Sequence, residues 1–103
     1  MNRNKKSITL NLKTDEGKQI LFDLVKTADV VVENFRPGVM KRLGIDYEVL
    51  RAIKPDIIMA SLSGYGQTGP YAQRGAYSNL AEALSGVMSV TGYPDGKPTG
   101  YGV

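Results

Sequence analysis

Apolar residues follow two different patterns along the first two thirds of the chain. Ser7–Leu12 (SITLNL) has apolar side chains at every second position, which predicts a half-buried strand. Asp29–Asn34 and Asp56–Leu62 are apolar with little alternation, as expected of strands covered on both faces of a parallel sheet. Because helical patterns separate these runs, the chain is predicted to be an α/β protein with an open parallel sheet and flanking helices.

Three helices are predicted from their capping residues, with a shorter one in the sequence RPGVMKRLG. Thr14 is expected to cap the first helix, and Asp46 a second one that Pro55 ends. Asn79 followed by Glu82 has the spacing of a capping box and predicts a third helix. The first helix is predicted to present one apolar stripe, consisting of Ile20, Leu21, Leu24, Val25 and Ala28.

The last third of the chain is rich in turn-forming residues. Nine of the twelve glycines lie between Gly64 and Gly102. We therefore interpret residues 1–103 as a single α/β segment that ends in an irregular tail over residues 92–103.

Composition excludes several classes of function. The 103 residues include no Cys and no His, which argues against disulfides, a thiol nucleophile and Cys-ligated metals. Arg3, Lys5 and Lys6 alone account for the net charge of +3, and the other basic residues are interleaved with acids, so nucleic acid is not an expected partner. No apolar run reaches the roughly 18 residues of a membrane span, and the expected location is the cytoplasm.

Gly64–Gly69 (GYGQTG) matches the G-x-G-x-x-G fingerprint of dinucleotide-binding proteins. That fingerprint requires a helix that begins within the glycines, whereas Pro70, Arg74 and Gly75 prolong the loop here. The acid at the expected distance, Glu82, falls on a predicted helix. A nicotinamide- or flavin-dependent oxidoreductase is therefore a minor alternative, and the loop fits an anion-binding turn and a simple surface turn equally well.

Asn34, Phe35 and Arg36 directly follow a predicted buried strand, where open α/β sheets place their ligands. A Phe ring can cover a heterocycle, and an Arg can bind phosphate with two hydrogen bonds. The alternative is a tight turn in which Phe35 fills the edge of the core and the two arginines, Arg36 and Arg42, are solvated. Lys13, after the first predicted strand, is a further candidate for phosphate binding, and its alternative is a plain surface lysine. Tyr77, before the third predicted helix, is a candidate to direct its hydroxyl group into the cleft, and its alternative is simple packing there.

Four segments resemble, in order and almost without gaps, those of the family III CoA-transferases, also called the CaiB/BaiF family. They are NRNKKSITLNLKTDEGKQI, ADVVVENFRPGVMKRLGIDYEVL, SLSGYGQTGPYAQRGAYSNLAEALSGVMSVTG and YPDGKPT. The resemblance implies part of a Rossmann-like CoA-binding domain within a larger fold. It also implies transfer of coenzyme A between carboxylic acids through an aspartyl-CoA intermediate, with CoA as a substrate and no metal. The CoA contacts it implies are Leu10, Lys13, Asn34, Phe35, Arg36 and Arg42, with Tyr77 beside the active site.

Two departures from the family pattern affect the expected activity. Ser78 replaces an acidic residue that commonly follows the tyrosine, and the catalytic aspartate would lie about four residues beyond Val103. We therefore expect no catalytic residue in this chain, no turnover by it alone, and weak or no binding of free CoA. A racemase of the same family would need a His, which the chain lacks.

The resemblance also implies acyl-CoA and carboxylic acid substrates and a homo-oligomer, because family members form interlocked dimers. The alternative function is a non-catalytic truncated relative that acts as a binding or assembly module. No membrane partner is expected.

Overall fold

The computed structural model describes residues 2–100. Two strands pair in a parallel sheet, which confirms the predicted α/β class. The described residues form two compact units: unit 1, which comprises the residues up to Glu33 and Gly38–Ala60, and unit 2, which comprises Asn34–Pro37 and the residues from Ser61 onward. The elements are α1 (Asp15–Val25), β1 (Val30–Glu33), α2 (Val39–Leu43), α3 (Tyr47–Ile53), β2 (Ile58–Ser61), α4 (Ser78–Ser85) and a 3-10 helix (Val87–Val90).

The core of unit 1 forms where α1 and α3 pack against one face of the strands. Val25, Leu50 and Ile57 are at its centre, each no more than 3% exposed. Only part of the stripe predicted for α1 enters this core, because Ile20 and Leu24 remain almost half exposed. The core-facing side of α1 instead includes Leu21, Phe22 and Val25, so it is rotated about the helix axis away from Ile20 and Leu24. The half-buried residues around the centre are Leu21, Phe22, Ala28, Val31, Ile53 and Met59.

Both helix caps predicted in unit 1 are confirmed. Thr14 Oγ1 accepts a hydrogen bond from the Gly17 amide at 3.2 Å, and Asp46 Oδ1 accepts one from the Val49 amide at 3.3 Å. At the other end of α3, Lys54 Nζ donates to the carbonyl oxygen of Ala28 at 2.6 Å. These bonds satisfy backbone groups at helix and strand ends that would otherwise lack a partner in the fold.

Two predictions about the strands are wrong. Ser7–Leu12 is not a strand, and Ile8 is 63% exposed, because alternation defines an apolar face but a strand also requires a pairing partner, which this segment lacks within residues 2–100. The strands are also not covered on both faces, since Val32 and Ile58 are 66% and 62% exposed. Both packed helices contact the same face, so alternate strand residues point away from the core.

Unit 2 consists mainly of turns, with α4 as its longest helix within the described residues. The predicted capping box of Asn79 and Glu82 is wrong, because α4 begins two residues earlier than predicted and Tyr77 occupies the N-cap without a side-chain hydrogen bond. Gly86, with φ at +80°, ends α4 before the 3-10 helix. Residues 91–100 form neither helix nor strand, and the last three residues of the predicted tail lie outside the described residues. No helix within residues 2–100 has the length and apolar content to cross a membrane.

Candidate functional site

Unit 2 contains an open cleft of about 210 Å³. It brings together four of the predicted site residues, Asn34, Phe35, Arg36 and Tyr77, although Tyr77 lies about forty positions after the other three in the sequence. Asn34 directly follows β1 in the chain, and Ser63 follows β2 by two positions. The other lining residues are Pro37, Ser63, Gly64, Arg74, Gly75 and Ala76.

Two glycines allow the walls of the cleft to approach each other. A Cβ atom added to Gly64 would overlap the Cβ atom of Ala76, so the two loop segments can meet only without a side chain at position 64. Arg36 lies against Gly75, with its Nη2 atom 3.4 Å from the place a Cβ atom there would occupy. Because Gly75 has no side chain, the Arg36 guanidinium group can lie directly against the backbone in the cleft.

The glycine-rich loop does not form a dinucleotide-binding turn. Gly66 and Gly69 have φ values of +78° and +96°, and turns follow them. The next helix begins only at Ser78. The helix N-terminus that would hold a pyrophosphate at this fingerprint is therefore not formed at residues 64–69.

Arg74 lines the cleft, although the sequence pattern indicates only that it belongs to a long loop. Its Cζ atom lies 4.2 Å from the centre of the Tyr71 ring, and Tyr65 meets Tyr71 edge-on with ring centres 5.8 Å apart. The signal in the sequence is an arginine three residues after a tyrosine within a loop bounded by glycines. Spacing alone does not reveal that this loop returns to Asn34.

The cleft is electropositive. Arg36 and Arg74 both line it, and no acidic side chain does so within the part of the chain that the structure describes. Tyr77, which is 80% exposed, is the N-cap of α4, and its side chain makes no capping hydrogen bond to that first turn. The N-terminus of a helix carries partial positive charge, so these groups together favour an anionic ligand such as a phosphate.

Phe35 and Asn34 add groups suited to a heterocycle or an amide. Phe35 is 42% exposed, so part of its ring is accessible to a ligand. Sites for complete small-molecule ligands usually measure about 300–1,000 Å³. A cleft of about 210 Å³ has room for one portion of a large nucleotide.

The other predicted site residues, Leu10, Lys13 and Arg42, lie in unit 1. Lys13 is exposed at the turn before α1, where its amide donates to Asn11 Oδ1 at 3.1 Å. Arg42 lies on α2 with Nη1 3.3 Å from the place of a Cβ atom on Gly38. That these three residues bind the same ligand as the cleft remains a prediction.

Residues 2–100 contain no group of three or more Asp, Glu, His or Cys side chains placed to hold a metal ion.

Sequence comparison identifies the family. The model of CoA-transferase family III matches residues 1–103. The chain belongs to CoA-transferase family III. This confirms the family resemblance stated from the four segments, and members of this family use CoA as a substrate.

Relatives and solved structures agree with this assignment. The chain is 55% identical over its whole length to an acyl-CoA transferase of Fusarium pseudograminearum, and 54% identical over 99% of its length to an acetyl-CoA:oxalate CoA-transferase of Acetobacter aceti. It superimposes on a CaiB/BaiF family protein from Brucella suis with a TM-score of 0.88 and 45% identity over 96% of the chain. The chain spans only about a quarter of these proteins, 23%, 26% and 26% respectively.

Proposed function

We propose that this chain supplies part of the CoA-binding surface of an enzyme that moves coenzyme A between carboxylic acids. The observation that carries the proposal is the cleft in unit 2, which Arg36, Arg74 and Phe35 all line, with no acidic side chain among the described lining residues. CoA carries a pyrophosphate and a further phosphate, which two arginines can bind. The family membership supports the choice of CoA over other phosphorylated ligands.

The proposed reaction passes through an enzyme aspartate. Its carboxylate oxygen attacks the thioester carbonyl of the donor acyl-CoA, a C–O bond forms, the C–S bond breaks, and CoA leaves as a thiolate. The thiolate then attacks the aspartyl carbonyl of the resulting anhydride, which releases the donor acid as a carboxylate and leaves aspartyl-CoA. An acceptor carboxylate reverses both steps, so two easier exchanges replace one difficult exchange. We assign this aspartate to no residue of the chain.

The residues of the cleft bind and orient CoA in this scheme. The thiolate leaves and returns within one catalytic cycle, so the enzyme must hold the nucleotide end of CoA while the sulfur reacts. Arg36 and Arg74 would bind phosphate oxygens, and Phe35 would cover an apolar part of the ligand. The exposed hydroxyl of Tyr77 is free to donate a hydrogen bond near the reacting groups.

Titration of the isotope-labelled chain with CoA, followed by amide NMR shifts, tests the binding site. We expect weak binding, with the shifts concentrated at Phe35, Arg36, Gly75 and Tyr77. Arg36→Gln should reduce these shifts because it removes one of the two cationic groups. Arg51→Gln on α3 is the matched control, since Arg51 does not line the cleft, and it should leave the titration unchanged.

Shifts confined to residues outside the cleft, or equal losses in the two Arg→Gln variants, would contradict the proposed site. The same titration tests the predicted contacts in unit 1. Lys13→Gln should weaken binding further if Lys13 contacts the same CoA molecule. Tight binding to the unmodified chain would show that our expectation of weak affinity is wrong.

A binding or assembly module is the second candidate, and the exposed face of the sheet favours it. Val30, Val32 and Ile58 are between 48% and 66% exposed, and they present apolar side chains on adjacent strands. We propose that this face contacts a second copy of the chain. Sedimentation at several protein concentrations should show self-association, and Val32→Lys should reduce it; a monomer at every concentration would exclude this arrangement.

A further inference from the structure

Arg74 has an unusual support for an exposed arginine. The ring of Tyr71 lies beneath its guanidinium group, 4.2 Å from ring centre to Cζ. Tyr65 meets the same ring edge-on, at an angle of 64°. An arginine on a surface loop normally samples many rotamers, and stacking on an aromatic face restricts them.

The backbone of the loop fixes this arrangement. The Arg74 amide donates to the Tyr71 carbonyl at 2.8 Å, and the Ala72 amide donates to the Gly69 carbonyl at 3.3 Å. Ala72 is the one hydrophobic residue classed as buried in the described part of unit 2, at 6% exposure. The buried Ala72 therefore anchors a turn that places the Tyr71 ring and the Arg74 side chain on one side.

Burial does not account for the position of Tyr71. Its side chain is 49% exposed. The ring contacts both Tyr65 and Arg74, and Arg74 in turn lines the cleft while Tyr71 does not. A ring that is half in solvent and stacked on a site arginine is better suited to orienting that arginine than to filling a core.

We propose that Tyr71 is a positioning residue that holds the Arg74 guanidinium at the cleft, with Tyr65 orienting the Tyr71 ring. The consequence for ligand affinity rests on the proposed function, because it assumes that Arg74 binds a phosphate of CoA. The stacking itself does not depend on any ligand. Its expected effect on affinity is roughly two- to fivefold, which is typical of an exposed cation–π contact.

NMR of the unliganded chain tests the stacking directly. The side-chain protons of Arg74 should be shifted upfield by the ring current of Tyr71. Tyr71→Phe keeps the ring and should preserve this shift, whereas Tyr71→Leu should abolish it. Tyr93→Leu, which removes a highly exposed tyrosine outside the cleft, is the matched control and should have no effect. Absence of an upfield shift in the unmodified chain would overturn the proposal.

CoA titrations of the same variants test the consequence for binding. Tyr71→Leu should weaken CoA binding by the expected two- to fivefold, and Tyr71→Phe should not. In an Arg74→Gln background, Tyr71→Leu should cause no further loss, because the ring acts only through the arginine. Arg74→Lys keeps the charge but loses the planar stack, so it should resemble Tyr71→Leu and gives the same test if the leucine variant does not fold.

The outcomes separate the two proposals. Additive losses in the double variant, or an equal loss in the phenylalanine variant, would show that Tyr71 acts on the fold and not through Arg74. If the Arg74 protons show the ring-current shift but CoA shifts only amides outside the cleft, the proposed function fails while the positioning of Arg74 stands.

Discussion

Unit 1 and unit 2 are stabilised in different ways. Within residues 2–100, five of the six buried hydrophobic residues lie in unit 1, and the sixth, Ala72, lies in unit 2. Unit 2 instead relies on turns, on close approach at glycine and on contacts between exposed rings and arginine. The residues that stabilise the fold are therefore largely separate from those that line the cleft, as is common where loops carry function.

The largest effect is expected in the core of unit 1. Leu50 is fully buried, so Leu50→Ala should lower the free energy of unfolding by about 2–5 kcal/mol through lost burial and an unfilled cavity. Leu84→Ala on α4 is the matched control, because Leu84 is 63% exposed, and it should cost about 0.5 kcal/mol or less. Urea denaturation measures both. Similar losses in the two variants would remove the distinction between the units.

A smaller effect is expected at the wall of the cleft in unit 2. Gly64→Ala should destabilise the chain by about 1–3 kcal/mol, because the added methyl group overlaps the Ala76 methyl group. Adding Ala76→Gly removes that overlap, so the double variant should recover much of the loss. Urea denaturation measures the stability of the single and double variants, and the amide NMR shifts of the cleft residues report on the cleft itself.

Gly66→Ala is the control for the pair of substitutions Gly64→Ala and Ala76→Gly. A Cβ atom on Gly66 would meet nothing within 4 Å, but the backbone there has a positive φ. Its cost should therefore come from backbone strain, and Ala76→Gly should not relieve it. If Ala76→Gly restored the stability of both Gly64→Ala and Gly66→Ala, the wall of the cleft would not depend on the contact between positions 64 and 76.

An effect of about 1 kcal/mol is expected at the start of α1. Thr14→Ala removes the oxygen that accepts from the Gly17 amide, and loss of an N-cap side chain typically lowers the free energy of unfolding by this amount. Thr14→Ser keeps the hydroxyl group and should retain most of the stability in urea denaturation. The corresponding position of α4 has no such bond, so unit 1 should depend more on capping than unit 2. Equal loss in the serine and alanine variants would argue against the cap.

The smallest effect is expected at the surface of α1. A hydrogen bond from Lys26 lowers the pKa of Asp23 below its ordinary value of 3.8, aided by the charge of Lys26 and a hydrogen bond from Gln19. A lowered pKa means that this carboxylate stabilises the folded chain above pH 3.8, and that the contribution is lost as pH falls through the folded-state pKa.

An NMR titration of Asp23 in the Lys26→Gln variant should show its pKa rising toward the ordinary value. Lys18→Gln is the control, because Lys18 pairs with Asp15 instead, and it should leave the titration of Asp23 in place. An unchanged pKa in the Lys26→Gln variant would assign the shift to another cause.

Local signals predicted much of the fold. Thr14 and Asp46 were identified as caps because a capping oxygen acts within three residues, and the structure contains both bonds. The capping box at Asn79 failed because the same local pattern fits a helix that begins two residues earlier. The strand predicted at Ser7–Leu12 failed for another reason, since pairing depends on a partner that alternation does not specify.

The candidate site was predicted in part. Asn34, Phe35 and Arg36 were found because they follow a strand, and Tyr77 because it precedes a helix. Arg74 was missed because its role depends on the return of a long loop to Asn34 and on the ring beneath its side chain. Neither fact leaves a periodic pattern in the sequence.

The sequence by itself determined the α/β class, the two helix caps of unit 1 and the family, because each is encoded in short-range patterns or in an ordered series of motifs. Only the tertiary structure decided which faces of the strands are covered and which loop residues share a cleft. Those outcomes depend on contacts between residues far apart in the chain. The free energy of such contacts depends on the partner that each side chain meets, and the residue type alone does not specify that partner.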